Sequence, residues 1–145
     1  MKKHLLEAAE QGDAEAQFNL GIIYENGLND SKYAVEGSRP EAIRWMLAAA
    51  EQGLARAQIK LAEMYDAEPE TPGSAATACR WYLLATAALS GAQLQKARSD
   101  YLRTSLRLTS SELAKVRRFA QDWKPKTSNL VGASDRSKIY VGERG

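Results

Sequence analysis

Residues 45–53, WMLAAAEQG, decide the fold, because they repeat residues 4–12, HLLEAAEQG, at an offset of 41 residues, the distance from Gly12 to Gly53. The same offset aligns five further pairs: Ala14/Ala55, Ala16/Ala57, Gln17/Gln58, Leu20/Leu61 and Tyr24/Tyr65. Self-similarity at this period is typical of solenoids built from helix pairs. A single pair cannot bury its apolar stripe alone, so stacked copies are needed for a core.

A second offset, of 36 residues, extends the repeat towards the C-terminus. It carries Ala42, Arg44, Trp45 and Leu47 onto Ala78, Arg80, Trp81 and Leu83. At the same offset Tyr65 falls on Tyr101, which marks a third, worn copy. The longer first period implies about five extra residues, since insertions in repeat arrays map to loops. We expect them in the loop 28–39, which is rich in Asn, Asp, Ser and Gly.

Each copy predicts two helices. In the first helix, apolar residues recur at three- and four-residue steps from Ala16 to Tyr24 and stop before Gly27. In the second, Pro40 stands in the first turn, where proline is tolerated, and the apolar stripe ends at Gly53. The predicted fold class is therefore all-α, a short right-handed α/α superhelix (solenoid) of helix-turn-helix repeats.

Two kinds of residue support this interpretation. Gly12, Gly53 and Gly91 each follow an apolar stripe, so we predict left-handed C-terminal caps there. Small alanines let neighbouring helices approach, and large aromatic side chains are predicted to fill the gaps between layers. The aromatic residues at repeat spacing are Tyr24, Trp45, Tyr65 and Trp81.

A C-terminal capping helix is predicted over residues 109–123. Thr109 and Glu112 form a capping box at its start, and Pro125 follows its end. One face is apolar, with Leu113, Val116, Phe119, Ala120 and Trp123, and the other is polar, with Lys115, Arg117, Arg118 and Gln121. Terminal repeats need such a lid with a polar outer side.

The predicted domain organisation follows from these elements. Residues 1–125 form the solenoid domain, and residues 126–145 are predicted as an extended or flexible basic tail. Within the domain we place repeats at about 13–53 and 54–91, partial repeats at 2–12 and 92–107, and the capping helix.

Composition excludes several classes of protein. The 145 residues suffice for one domain, and 44% hydrophobic with 26% charged residues is ordinary for a globular chain. A net charge of +2 is too small to indicate a nucleic-acid surface, although residues from Lys124 onward carry five basic and two acidic side chains. Cys79 is the single cysteine, so no intramolecular disulfide is possible.

The localisation is predicted from the N-terminus. Its basic start resembles that of a signal peptide, but Glu7 and Glu10 interrupt the apolar stretch. No run reaches transmembrane length, so we predict no membrane contact and a cytoplasmic protein. A secreted or periplasmic location would require that a leader had been removed.

The repeat pattern resembles the Sel-one-like repeat (SLR) family, relatives of the tetratricopeptide repeat. The resemblance covers about residues 4–102 and rests on Ala14-x-Ala16-Gln17-x-x-Leu20-Gly21-x-x-Tyr24-x-x-Gly27 followed by Ala42-x-x-Trp45-x-x-x-Ala49-Ala50-x-x-Gly53. The capped final helix resembles the closing segment of many bacterial members. The second copy departs from the pattern at Ala62, where the family has glycine, and the third keeps little beyond Ala97 and Tyr101.

This resemblance implies a concave face, lined by the first helix of each repeat, that binds a protein or peptide. Carried over by position, the lining residues are Glu15, Phe18, Asn19, Ile22, Glu25 and Asn26 in the first copy, Arg56, Ile59, Lys60, Glu63 and Asp66 in the second, and Gln95, Lys96, Ser99 and Arg103 in the third. Such a face changes from acidic and apolar to basic along the chain, which favours a partner of matching charge polarity.

The residues offer no pattern for catalysis. His4 is the only histidine and lacks an orienting partner, and Cys79 has no base nearby in the sequence to make its thiolate. The acidic cluster Asp66, Glu68 and Glu70 lacks a calcium-loop spacing, so a solvated turn is favoured. Glycine-rich phosphate loops, nucleophile elbows and zinc spacings are missing too. We therefore predict no enzyme, cofactor or metal.

The leading interpretation is a non-catalytic bacterial scaffold or adaptor that binds a protein or peptide, as a monomer or weak homodimer and without nucleic acid. One alternative is a small cytoplasmic immunity or antagonist protein that plugs a toxin or an enzyme. Another is a hydrolase of cell-wall or β-lactam compounds, an association carried by cysteine-rich secreted members of the family. Those have paired cysteines, whereas this chain has one.

Overall fold

The computed structural model describes residues 2–29, 34–35, 37–68 and 71–126. The described residues form seven helices: α1 Lys2–Glu10, α2 Ala14–Asn26, α3 Arg39–Glu51, α4 Ala55–Asp66, α5 Ser74–Thr86, α6 Gly91–Ser105 and α7 Ser110–Asp122. The chain divides into an N-terminal unit, residues 1–54 with 125–145, and a C-terminal unit, residues 55–124. Most of the predicted tail, residues 127–145, lies outside the described residues.

In the N-terminal unit, α2 packs between α1 and α3. The core contains Ala9, Ala16, Leu20 and Trp45, all buried. Gly21 permits the close approach of α2 to α3, because a Cβ atom there would lie 2.8 Å from Met46 Cε and 3.3 Å from the Ala42 carbonyl oxygen. The repeat alanines, to which the sequence analysis gives the same packing role, are also buried: Ala9, Ala49, Ala50, Ala57 and Ala62.

The segment predicted as the inserted loop contains a short β-hairpin. Strand β1, Leu28–Asn29, pairs antiparallel with β2, Ala34–Val35, in the register Leu28↔Val35 and Asn29↔Ala34. Ser38 then starts α3: its backbone N–H donates to the Tyr24 carbonyl at 2.7 Å, and its side chain accepts from the Glu41 N–H. The segment that holds the extra residues of the first period therefore contains two paired strands. Its residue Ser38 is hydrogen-bonded to the C-terminal part of α2.

In the C-terminal unit, α4, α6 and α7 each pack against α5. Helix α5 is the most buried element there, with Ala78, Cys79, Trp81, Tyr82 and Ala85 inside. Helix α7 begins with the predicted capping box, in which the Thr109 side chain accepts from the Glu112 N–H and the Glu112 carboxylate accepts from the Thr109 N–H. Its Phe119 ring meets Trp81 edge to face, with 5.8 Å between the ring centroids.

The glycine caps are confirmed at two of three positions. Gly12 and Gly53, each two residues after the last residue of α1 and α3, have φ angles of 98° and 97°. The prediction for Gly91 is wrong, because α5 ends at Thr86 and Gly91 is the first residue of α6, with φ at 58°. Helix α5 closes without a glycine, since the N–H groups of Ala87 and Ala88 bond to the Leu84 and Ala85 carbonyls.

The all-α fold class is confirmed: helix pairs α2/α3 and α4/α5 recur at the predicted repeat, and α7 is the capping helix. Within the described residues, strands are limited to the four-residue hairpin. None of the helices described combines the length and apolar character that crossing a membrane demands.

Candidate protein-binding groove

A groove in the C-terminal unit lies between α4 and α6, the first helices of two successive repeats. Its volume is about 130 Å³, and it is lined by Arg56 and Ile59 of α4, Leu89 of the connecting segment, and Gln93, Lys96, Ala97 and Asp100 of α6. Because α4 and α6 both pack on α5, the groove is held by elements with a common support.

The groove combines apolar and charged lining. Ile59 and Leu89 supply partly exposed aliphatic surface, and the buried Ala97 also borders the groove. At the edge, Lys96 Nζ lies 3.0 Å from Asp100 Oδ2, an i,i+4 pair along α6. The hydrogen bond and the negative charge of Asp100 raise the pKa of Lys96, which stays a cation. This lining suits a bound segment that carries an apolar side chain next to a charged one.

Asp66, at the end of α4, ties α4 to α5 and α6. Its carboxylate accepts from Arg103 Nη2 at 2.6 Å, from Arg107 Nη1 at 3.3 Å and from the Tyr82 hydroxyl at 3.1 Å. The Arg103 hydrogen bond is the largest influence on the pKa of Asp66, which is lowered despite partial burial. Burial and the nearby Asp66 carboxylate raise the pKa of Tyr82.

The structure brings three of the sequence-predicted residues of α4 and α6 into the groove: Arg56, Ile59 and Lys96. Asp66 and Arg103 belong instead to the ion-pair network. The other four lie outside the lining, with Lys60 and Glu63 half-buried and Gln95 and Ser99 exposed.

The six predicted residues of α2 lie in the N-terminal unit. Their spacing places them on one side of the helix. Glu15, Asn19 and Asn26 are exposed, while Phe18, Ile22 and Glu25 are half-buried. This α2 face offers one aromatic ring and one aliphatic chain, those of Phe18 and Ile22, beside polar groups. That it lines a binding face stays a prediction.

The sequence-based prediction missed Leu89, Gln93, Ala97 and Asp100 as lining residues. The residues chosen on α6 were transferred by repeat alignment from α4, whereas the groove side of α6 is rotated towards Gln93 and Asp100. One signal was available, because Lys96 and Asp100 are spaced i,i+4 and Arg103 follows at i+3. Such a charged ladder marks the partly exposed edge of a helix.

The described residues contain no cluster of three or more His, Cys, Asp or Glu side chains that could hold a metal ion. His4 Nδ1 lies 3.8 Å from Glu7 on exposed helix surface. Cys79 is fully buried in α5, as expected for a packing residue, and burial raises the pKa of its thiol. Its environment therefore disfavours the thiolate that a nucleophile needs.

Repeated helix pairs and an open groove between first helices define the class of α/α repeat proteins. The family model of the Sel1 repeat matches residues 14–54 and 55–88, more than half of the chain. The chain therefore belongs to the Sel1 repeat family, and the resemblance stated from the sequence is confirmed. Members of this family are typically non-catalytic scaffolds, and the repeat points to a protein-interaction function.

A solved structure supports the same assignment. The crystal structure of a protective antigen present in uropathogenic Escherichia coli strains, displaying an SLR fold, is similar at a TM-score of 0.68 and 25% sequence identity. The similarity covers 95% of this chain and 28% of the antigen, so the chain spans less than a third of that protein. No curated protein sequence matches the chain.

Proposed function

We propose that the protein is a non-catalytic scaffold that binds a segment of another protein in the groove between α4 and α6. The observation that carries this proposal is the lining itself: Ile59, Leu89 and Ala97 between the charged residues Arg56, Lys96 and Asp100. Apolar anchors that exclude water, surrounded by polar groups that fix orientation, are typical of peptide recognition.

The size of the groove favours a peptide over a small molecule. A volume of about 130 Å³ is small. Pockets for drug-sized ligands occupy roughly 300–1,000 Å³ and bury most of the ligand. The groove therefore suits one or two side chains of a longer segment, whose backbone would run along the surface of α4 and α6.

The exposed side of α2 is proposed as a second contact surface for the partner. Phe18 and Ile22 offer partly exposed apolar surface one turn apart, and Asn19 lies between them with an exposed amide. An asparagine amide in this position can donate to and accept from a peptide backbone. Glu15, Glu25 and Asn26 would complete this surface.

The test is selection of binding peptides from a displayed random library against the wild-type chain, followed by titration calorimetry with the selected peptide. Ile59→Glu places a charge on the apolar lining, and Lys96→Glu reverses the charge at its edge. We expect each to weaken binding at least about tenfold, the loss typical of a central interface residue.

Lys115→Glu is the matched control, because Lys115 is exposed on α7 and does not line the groove. It makes the same charge change as Lys96→Glu, also in the C-terminal unit, and should leave the affinity for the peptide within about twofold. Circular dichroism melting confirms that all three variants fold. Undiminished binding by folded Ile59→Glu and Lys96→Glu would refute the proposed position of the site.

A further inference from the structure

Two leucines at the C-terminal end of α6, one in its last turn and one at its C-cap, are exposed. Leu102 is 60% exposed and Leu106 is 85% exposed, and they are the exposed large hydrophobic residues of the described chain. They lie one helical turn apart, on the same side as the exposed residues Gln95 and Ser99. We call this side, defined by Gln95, Ser99, Leu102 and Leu106, the leucine face.

The leucine face is uncovered because α6 and α7, the third helix pair, do not pack closely against one another. In the pairs α2/α3 and α4/α5 the two helices pack closely against one another. Helices α6 and α7 each pack against α5 instead and barely contact one another. The second helix of this pair therefore leaves apolar surface of α6 exposed. Exposed apolar surface of this kind marks interaction sites.

The surroundings of the leucine face are basic. Arg98 is exposed on α6, and within the part of the chain that the structure describes it makes no ion pair. Arg103 and Arg107 add two cations, which pair with the two carboxylates of Asp66 and Asp100. Three cations and two anions leave a local excess of one positive charge, that of Arg98.

We propose that the leucine face binds an acidic amphipathic helix of a partner protein. Apolar side chains spaced i,i+4 on such a helix would cover Leu102 and Leu106, and acidic residues beside them would face Arg98 and Arg103. Apolar contact supplies affinity, and charge complementarity sets orientation and speeds encounter.

Charge argues against two other occupants of the leucine face. A second copy placed by a two-fold axis would bring its own Arg98 and Arg103 beside these residues, and like charges oppose that contact. Residues 127–145 of the same chain contain Arg136, Lys138 and Arg144 against Asp135 and Glu143, and so are basic as well. An acidic segment from another protein complements the leucine face in both respects.

The leucine face is distinct from the α4/α6 groove. The groove is lined on α6 by Gln93, Lys96, Ala97 and Asp100, which project from another side of the helix. The two proposals can therefore fail separately, because Leu106→Glu changes one surface and Ile59→Glu changes the other.

The test uses two synthetic helical peptides of equal length. The first carries leucines spaced i,i+4 and i,i+7 on one side and glutamates on the other, and in the second every glutamate is lysine. Fluorescence anisotropy with the full chain measures both. We expect the acidic peptide to bind at least about tenfold more tightly, with affinity that falls as salt screens the charges.

Two variants assign that binding to the leucine face. Leu106→Glu and Arg98→Glu should each reduce the affinity for the acidic peptide at least about tenfold, whereas Ile59→Glu should leave it unchanged. Equal binding of both peptides, or full affinity in folded Leu106→Glu, would overturn the proposal. So would sedimentation showing a wild-type dimer that Leu106→Glu dissociates, because a second copy would then occupy the face.

Discussion

Gln17 shows how a polar residue becomes part of the repeat core. Its side chain is fully buried, with Nε2 donating to the Ala9 carbonyl at 3.0 Å and Oε1 accepting from Gln52 Nε2 at 3.0 Å. Gln52 also donates to the Gly12 carbonyl at 2.9 Å. The two amides thus satisfy carbonyl groups at the end of α1, which an apolar residue would leave unpaired.

The sequence predicted that Gln17 and Gln58 are equivalent, but not that both are buried. Repeat alignment identifies positions that share an environment. It does not specify that environment for a polar residue, because burial of an amide depends on partners from other segments. Here the partners come from residues 8 and 35 positions away, Ala9 and Gln52.

Asp66, the last residue of α4, is a second polar residue whose partners the sequence did not reveal. The sequence placed it on a partner-binding face and beside a solvated acidic loop, whereas the structure shows it bound by Arg103, Arg107 and Tyr82. Those residues lie 37, 41 and 16 positions away, so no local spacing reveals the network.

Asp66→Asn is expected to lower the free energy of unfolding by about 1–2 kcal/mol near neutral pH, since it weakens charged hydrogen bonds that are partly open to water. The folded pKa lies below the ordinary value of 3.8, so the carboxylate stabilises the fold above that value and loses its effect as pH falls through the folded pKa. Urea unfolding at several pH values should therefore show the variant and wild type converging in acid.

Asp122→Asn is the control for this comparison, because Asp122 is exposed at the end of α7. It removes the same charge without the three partners and should change stability by less than about 0.5 kcal/mol. A gap between Asp66→Asn and wild type that stays constant down to the lowest pH would contradict the role given to this network.

At the level of elements, the ends of several helices were predictable from proline, capping and glycine residues. Pro40 stands at the start of α3, and Thr109 with Glu112 begins α7 as a capping box. Gly53 ends α3 with a positive φ angle. Each acts through the local backbone, so its consequence can be worked out from neighbouring residues alone.

Other elements depend on packing and could not be predicted in this way. The hairpin β1–β2 is formed by a segment whose composition indicates only a loop. The rotation of α6 and its separation from α7 follow from how both helices fit against α5. Repeat alignment assumes that the two helices of each pair are oriented as in α4/α5. It therefore fails for α6 and α7, which do not pack closely against one another.

Trp45→Ala tests the aromatic packing of α3. The side chain is 2% exposed and packs with Ala9, Ala16 and Leu20 in the N-terminal core. We expect a loss of about 3–5 kcal/mol in the free energy of unfolding, the usual cost of truncating a large buried aromatic residue.

Trp123→Ala provides the comparison, because that tryptophan is half-buried after α7 and should cost clearly less. Thermal melts followed by circular dichroism measure both. An unchanged melting temperature for Trp45→Ala would show that the residue at this repeat position is not part of the core.

Over the whole chain, charge is divided along the sequence. Residues 1–54 contain five basic and nine acidic residues, whereas residues 55–124 contain eleven basic and seven acidic residues. Residues 1–54 thus carry a net charge of −4 and residues 55–124 a net charge of +4, a contrast that the total of +2 conceals. The sequence predicted this trend on the proposed binding faces, and it matches the basic surroundings of the leucine face.

The proposed scaffold function depends on which surface a partner segment occupies. Ile59 lines the α4/α6 groove, whereas Ile43 is a half-buried residue of α3 in the N-terminal unit. Isoleucine methyl groups therefore report on the two places separately. Binding against an apolar wall changes the shielding of its methyl groups, and a distant packed methyl group stays unaffected.

The most direct measurement is an NMR titration of isoleucine-methyl-labelled protein with the peptide selected from the displayed library. We predict that the Ile59 methyl resonance moves progressively and saturates with the dissociation constant found by calorimetry, while the Ile43 resonance stays in place. Saturable binding that shifts other isoleucine methyl groups and leaves Ile59 unchanged would contradict the assignment of partner binding to the groove between α4 and α6.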